Sequence, residues 1–327
     1  MIRFAQGAAL ILCTVLQGCG GGDDSGPPVG VPEPPLPAAV TLAATNYQDA
    51  ARVAMRTSNA AYTHATLGIS VVDNMLDRPV PLFPAPCPQG GLTSMELTDQ
   101  NRDSTLDPGD TLHLRWDGCK VLGSTSTGVV RIQLTDGVQI PGGREYHLSV
   151  LVENLQLTSD TPGAPAITIN CSVPVHYTRT ATSAHIVIEG AEFRSGQIAG
   201  DTGTAVVILD YLQDLATQTY RYEIAGNASS GALGGRIDFR TPLPFTGVLG
   251  EYPSAGQLAI SGGVNSSARL SEEGTAAGDN AAVFAAVDAN GDGTIDASNP
   301  ALAWATIVPV RLFAAYDGQV TIGVPLP

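Results

Sequence analysis

Two segments of the chain place oxygen-bearing side chains at alternate residues of what should be a tight turn. The first is a twelve-residue segment that starts at Asp99, with oxygen side chains at positions 1, 3, 5, 9 and 12. A hard cation such as Ca²⁺ takes about six to eight oxygen ligands, and alternate residues of a tight loop turn theirs inward. Position 7 would add a backbone carbonyl. The candidate ligands are Asp99, Asn101, Asp103, Thr105 (position 7), Asp107 and Asp110.

The second segment repeats this spacing near the C-terminal end of the chain. It starts at Asp288, carries oxygen side chains at positions 1, 3, 5 and 9, has a glycine at position 6, and ends on an asparagine at position 12. An amide at position 12 is a neutral ligand and should bind a cation more weakly than a carboxylate. The candidate ligands are Asp288, Asn290, Asp292, Thr294 (position 7), Asp296 and Asn299.

Both segments resemble the calcium loops of EF-hand and dockerin proteins over about a dozen residues. The first departs from that pattern at Ser104, where glycine is expected, and at Asp110, where a longer Glu is usual. Neither segment has the two long flanking helices of a true EF-hand. The resemblance implies structural calcium sites with a Kd of roughly 10⁻⁴ to 10⁻³ M. The alternative is a pair of acidic turns that bind nothing, since Asp, Asn and Gly are also the ordinary residues of turns.

Other constellations of catalytic residues are absent from the sequence. It contains no Gly-x-Ser-x-Gly, no His-Glu-x-x-His and no glycine-rich phosphate loop. Four of the five histidines stand singly inside alternating apolar segments, which is typical of a sheet surface. The 31 acidic residues outnumber the 16 basic ones, and this excess disfavours binding to nucleic acid. A carboxylate pair that hydrolyses envelope glycans or peptides stays open as the alternative function.

The N-terminus predicts export and lipid attachment. An apolar run, Phe4–Leu16, is shorter than the roughly 20 residues of a membrane span and is typical of a secretory signal. The tetrapeptide that follows, Leu-Gln-Gly-Cys, resembles the bacterial lipobox. That resemblance implies that residues 1–18 are a signal peptide and that Cys19 becomes an acylated first residue, with the glycine after it favouring the outer membrane. Residues 19–39 are rich in Gly and Pro and predict a tether.

Residues 40–327 predict a mainly β domain. Short alternating apolar segments, separated by Gly, Asn, Asp or Pro, recur from Leu92 onward. No long helical segment connects them, which favours an antiparallel meander. One helix is predicted over residues 45 to about 66, with Asn46 as its cap. We expect a sandwich or a large curved sheet with this helix packed on it, and a division into two subdomains near residue 200 stays open.

Three cysteines follow Cys19 in what should be an oxidising compartment. Paired positions of an antiparallel hairpin have a constant sum, which is 209 for the ends of the first loop and 206 for Cys87 with Cys119. These two cysteines are therefore predicted to lie opposite one another at the open end of the hairpin. Their disulfide should stabilise the fold by roughly 3.7 kcal/mol. Cys171 is left over and is predicted to be a buried strand residue.

The whole layout resembles uncharacterised proteobacterial lipoproteins. The shared features are the lipobox, the Gly/Pro tether, the disulfide-flanked Asp-rich hairpin and the late Asp-x-Asn-Gly-Asp-Gly loop. The resemblance implies a place in the bacterial envelope and calcium, but no activity. We expect a calcium-stabilised binding or structural module, held at the outer membrane by the lipid on Cys19, and not an enzyme.

Overall fold

A computed structural model of the chain describes residues 37–76, 84–121, 124–140, 142–159, 166–198, 201–272 and 282–308. These residues belong to one compact unit. The predicted signal peptide, Cys19, most of the tether and the apolar segment at 319–322 lie outside the described residues. No helix within the described ranges is long and apolar enough to cross a membrane.

The sheet is a meander of fourteen antiparallel strands that pair in chain order. The strands are β1 (Ala85–Pro86), β2 (Leu92–Thr98), β3 (Thr111–Val121), β4 (Ser124–Ile140), β5 (Gly143–Ser159), β6 (Ile167–Arg179), β7 (Ser183–Ile198), β8 (Asp201–Asp214), β9 (Thr219–Ser230), β10 (Gly235–Val248), β11 (Ala255–Ser261), β12 (Ser267–Glu272), β13 (Ala282–Asp288) and β14 (Ala297–Ala303). The predicted antiparallel meander is confirmed. It is one open sheet and not a sandwich of two, and it continues from β7 into β8 across residue 200.

The first helix, α1 (Tyr47–Met75), contacts strands from β5 to β13 and is buried on nearly every side. The early helix is confirmed, but its predicted end near residue 66 is wrong. The helix continues through an apolar run, Leu67–Val72, that contains no proline. Because 20 of its 29 residues are buried, this helix has no single apolar stripe from which its length could be recognised. A second, short helix, α2 (Trp304–Ile307), follows β14.

Close packing between α1 and the sheet depends on a glycine in the helix. A Cβ atom at Gly68 would lie 2.5 Å from Cγ2 of Val150 and 2.9 Å from Cδ1 of Leu148, both on β5. Earlier in the helix, the rings of Tyr62 and of Tyr211 on β8 pack edge to face, with 5.1 Å between their centroids. The core therefore lies between α1 and the inner face of the sheet.

The strand order also places the two acidic loops at opposite ends of the sheet. Successive strands of an antiparallel meander alternate in direction, so even-numbered and odd-numbered strands end at opposite edges. The first loop follows β2, and the second follows β13. The two loops therefore belong to separate hairpins at opposite ends of the strands.

Candidate metal loops

A regular hairpin of β2 and β3 presents the first acidic loop. Its register runs from Leu92 opposite Asp117 to Thr98 opposite Thr111, which is the predicted constant sum. At the open end of this hairpin Cys87 and Cys119 form the predicted disulfide, with 5.5 Å between their Cα atoms. The hairpin is thus closed covalently at one end and by the loop at the other.

Cys171 is the free cysteine of the described residues and lies buried on β6. Burial raises the pKa of its thiol to about 12, because an apolar environment disfavours the thiolate. The thiol is therefore protonated at neutral pH and is a poor nucleophile or metal ligand.

Position 1 of the first loop holds the turn through its carboxylate. The two carboxylate oxygens of Asp99 accept the backbone N–H groups of Arg102 and Ser104, at 2.5 and 2.7 Å. These bonds fold the chain back over its own first residue. The position 1 carboxylate therefore sits inside the loop, where a cation ligand at that position would have to be.

Positions 3, 5, 7 and 9 of the first loop converge on one another. Nδ2 of Asn101 lies 3.0 Å from Oδ2 of Asp103 and 3.1 Å from Oδ2 of Asp107. The hydroxyl of Thr105 donates to the same two carboxylates, at 2.6 and 3.0 Å. The structure thus brings together the side chains that the spacing singled out.

The second loop repeats the contacts among positions 1, 3, 5 and 7, whereas position 9 makes a different contact. The carboxylate of Asp288 accepts the N–H groups of Gly291 and Gly293, at 2.7 and 2.9 Å. The amide of Asn290 lies 3.0 Å from Oδ2 of Asp292, whose backbone N–H returns a bond of 2.9 Å to the Asn290 oxygen.

Thr294, at position 7 of the second loop, completes the correspondence with the first. Its backbone N–H donates to Oδ1 of Asp292 at 2.8 Å, and its hydroxyl donates to the same oxygen. Asp103 and Asp292 therefore each accept hydrogen bonds from the Thr at position 7. These bonds favour the ionised form and hold the pKa of both carboxyls below the ordinary value.

Both loops also adopt left-handed backbone at positions 4 and 6. These positions are Gly291 and Gly293 in the second loop, with φ of 77° and 86°. In the first loop they are Arg102 and Ser104, with φ of 65° and 66°. A side chain in this region costs roughly 1–2 kcal/mol, so the first loop holds the same shape under strain.

The two loops differ at position 12. Asp110 is buried in the first loop, where its oxygens accept the N–H groups of Gln100 and Asp107, at 2.9 and 3.0 Å. Asn299 instead lies on β14, and its Oδ1 accepts the N–H of Ala301. The structure therefore does not bring Asn299 together with the rest of its loop.

At position 9 of the second loop, Asp296 accepts the backbone N–H of position 2, as Asp110 does in the first loop. Its Oδ2 accepts the position 2 N–H, that of Ala289, at 2.7 Å. Sequence reasoning missed one further residue: the side chain of Gln100 donates to the carbonyl of Gly109 at 2.7 Å and clamps the ends of the first loop. The calcium-loop pattern requires no particular residue at position 2, so the sequence gives no sign that Gln100 has this role.

The chemistry of the loop side chains fits calcium, because carboxylate, amide and hydroxyl oxygens are the hard ligands that it prefers. Within the described part of the chain, no three His, Cys, Asp or Glu side chains are grouped so as to hold a metal ion. In both loops the carboxylate oxygens are turned toward backbone N–H groups and neighbouring side chains. The fit is therefore one of residue type and order along the loop.

Comparison of the chain with protein-family models, with curated proteins and with solved structures finds no match. Any function assigned to the protein therefore rests on the chemistry of these loops and of the N-terminus.

Proposed function

We propose that the protein is a lipid-anchored lipoprotein of the bacterial envelope. Its β-rich domain acts as a binding or structural module, and calcium stabilises it through the two loops. The lipid anchor rests on the Leu-Gln-Gly-Cys sequence at Cys19. The observation that supports calcium is the repetition of one hydrogen-bond pattern in two separate hairpins. Both loops have left-handed backbone at positions 4 and 6 and share the hydrogen bonds that join position 1 to positions 4 and 6, position 3 to position 5, and position 5 to position 7.

Electrostatics explains why a cation would stabilise these loops. Each loop crowds several carboxylates into one turn on a chain whose formal net charge is −15. Without a counterion the carboxylates repel one another and favour the opened turn, whereas a bound cation converts repulsion into coordination. The second loop should bind more tightly, because glycines occupy its left-handed positions.

Thermal unfolding in calcium tests the metal part of the proposal. A ligand that binds only the folded state stabilises it by RT ln(1 + [L]/Kd), which is about 1.4 kcal/mol per site at a tenfold excess over Kd. A fragment of residues 36–327 should therefore melt several degrees higher in millimolar calcium than in EDTA, at roughly 2–4 °C per kcal/mol. Magnesium should do less, because it gives up its water reluctantly and demands stricter geometry.

A pair of charge-matched variants makes the calcium experiment specific. Asp288→Asn with Asp292→Asn should remove most of the calcium shift. Asp117→Asn with Glu189→Gln removes the same charge from exposed strand positions and should leave the shift intact. Equal melting of the wild-type fragment in EDTA and in calcium would show that both loops are only acidic turns.

Metabolic labelling tests the anchor separately. Cells grown with labelled palmitate should label the wild-type chain and Cys13→Ala, but not Cys19→Ala, because only the cysteine of the lipobox is acylated in lipoproteins of this kind. Cys13 is the matched control, since it lies in the apolar run of the predicted signal peptide. Undiminished label on Cys19→Ala would remove the envelope anchor from the proposal and leave the calcium part untouched.

A further inference from the structure

Two arginines on adjacent strands lie side by side at one rim of the sheet. Arg144 on β5 and Arg179 on β6 are register partners, and Tyr146 and Tyr177 are partners in the next row of the same face. Both tyrosines are buried in the core, and side chains two residues apart on a strand share a face. Both arginines therefore belong to the inner face of the sheet. Like charges placed directly opposite one another destabilise a sheet, so strand pairing does not account for this pair.

A cavity of about 440 Å³ opens beside the two arginines. It lies where β5 begins and β6 ends, next to the last turn of α1. Clefts of roughly 300–1,000 Å³ are the usual size of small-molecule sites in proteins. The side chains that give this cavity its polar character are Asp73, Asn74, Arg144, Arg179 and Thr180.

A carboxylate holds one of the two arginines in place. Nη1 of Arg144 lies 3.2 Å from Oδ1 of Asp73, and the same oxygen accepts the hydroxyl of Tyr146 at 3.0 Å. The Asp73 side chain is only 14% exposed, so this ion pair is largely screened from water. The Arg144 guanidinium is therefore positioned at the cavity wall by a carboxylate that a buried tyrosine supports.

Arg179 has no such carboxylate partner. Across the described residues, no ion pair involves its guanidinium. The lining of the cavity thus carries two positive charges, on Arg144 and Arg179, against the one negative charge of Asp73. It is a positive site on a chain whose formal net charge is −15. A charge partly removed from water without a counterion is costly, and a bound anion would relieve that cost.

We propose that this cavity binds a small organic acid through a single carboxylate, which Arg179 and Arg144 contact, and that Asp73 positions Arg144. The guanidinium group presents paired N–H donors that match the two oxygens of a carboxylate. One negative charge balances the excess charge of the cavity, whereas a phosphate dianion would bring a surplus of negative charge beside Asp73. The proposal draws on neither the calcium loops nor the lipid anchor.

The test is a calorimetric titration of the full chain, purified in detergent, at neutral pH and constant calcium, with two pairs of probes. Glucuronate is compared with glucose, and N-acetylalanine with N-acetylalaninamide, so that each acid has a neutral counterpart. We expect at least one acid to bind at least tenfold more tightly than its neutral counterpart. Binding of glucuronate alone would identify a sugar acid as the ligand, binding of N-acetylalanine alone would identify a peptide terminus, and binding of both would identify recognition of the carboxylate itself.

Substitution of the unpaired arginine locates the binding site. Arg179→Gln should weaken binding of the acid at least tenfold, because a hydrogen bond to a charged group is lost. Arg115→Gln is the matched control: it removes the same charge from an exposed position of β3 outside the cavity, and it should change the affinity less than twofold. Circular dichroism and thermal melting check that each variant folds.

Asp73→Asn gives a readout that a purely structural role would not move. The amide keeps an oxygen for Arg144 and Tyr146 but removes the negative charge, so the acid should bind at least threefold more tightly than to the wild type. Weaker binding to Asp73→Asn would contradict the charge balance from which the ligand class is inferred. Failure of both acids to bind, equal binding of an acid and its neutral counterpart, or undiminished binding to Arg179→Gln would overturn the proposal. The two arginines would then only complement the C-terminal dipole of α1.

Discussion

The two acidic loops differ more in the residues at two backbone positions than in their candidate ligands. Positions 4 and 6 are left-handed in both, yet only the second loop has glycine there. The departure at Ser104 is recognisable in the sequence, because position 6 has a known requirement for glycine. The strain at Arg102 cannot be recognised in the sequence, because the calcium-loop pattern requires no particular residue at position 4. Its φ of 65° is seen only in the folded turn.

Ser104→Gly should raise the stability of the protein by about 1 kcal/mol, because it removes the strain of a side chain at φ 66°. In thermal unfolding this is an increase in Tm of roughly 2–4 °C. Ser104→Ala is the matched control: it removes the hydroxyl but keeps a Cβ in the strained region, so its Tm should not rise. A Tm for Ser104→Gly at or below that of Ser104→Ala would show that the strain is not what limits the first loop.

Secondary-structure elements are predictable from the sequence where one face of the element is buried and the other is exposed. The alternating segments around Leu112, Val150 and Ile186 are strands, and Leu112, Val150 and Ile186 are fully buried. The sequence of α1 offers no such contrast after Tyr62, because the sheet surrounds the helix. The same enclosure buries polar side chains, and Ser58 and Thr66 donate their hydroxyls to helix carbonyls one turn back.

The burial of His64 on α1 should be detectable in the pH dependence of protein stability. Its side chain is only 9% exposed, its ring centroid lies 6.4 Å from that of Phe193, and burial lowers its pKa from 6.5 to about 4. At pH values between 4 and 6.5, His64 is mostly protonated in the unfolded chain and mostly neutral in the folded chain. Stability therefore falls as the pH drops through this window, by about 2–3 kcal/mol between pH 7 and pH 4.5.

Urea unfolding at pH 7 and pH 4.5 checks this effect, and His64→Leu removes the titrating group. The wild type should lose about 2–3 kcal/mol more than the variant between the two pH values. The pH stays above the range in which the depressed pKa values of Asp103 and Asp292 would contribute. If both proteins lose the same free energy of unfolding, His64 is not protonated on unfolding in this window and its burial in α1 is wrong.

Across the described residues the strands form one meander that packs around α1, and local sequence patterns do not predict this arrangement. A sandwich and a single sheet have the same alternating strands and the same turns, so the segments from Leu92 onward are compatible with both. Long-range contacts decide between them. One of these is made by the segment before α1, which runs alongside β10 in a parallel bridge of Ala39 with Arg236.

The segment of residues 38–42 is the first part of the described chain that is fixed to the sheet. The N–H of Val40 donates to the carbonyl of Arg236 at 2.9 Å, and its carbonyl accepts the N–H of Gly263 at 2.7 Å. The N–H of Leu42 donates to the hydroxyl of Ser266 at 2.8 Å, and its side chain is fully buried. If Cys19 carries the lipid, a force on the anchor would be transmitted to the domain through residues 38–42.

Removal of this segment should therefore destabilise the whole domain. A fragment of residues 43–327 should unfold at lower urea than one of residues 36–327, because it loses the backbone bonds to β10 and the burial of Leu42. Leu42→Ala alone should cost about 3 kcal/mol, as for other large-to-small changes in a packed core. Thr41→Ala, at the exposed neighbouring position, should cost less than about 0.5 kcal/mol. Equal stability of the two fragments would mean that residues 38–42 belong to the tether, and that the domain begins at α1.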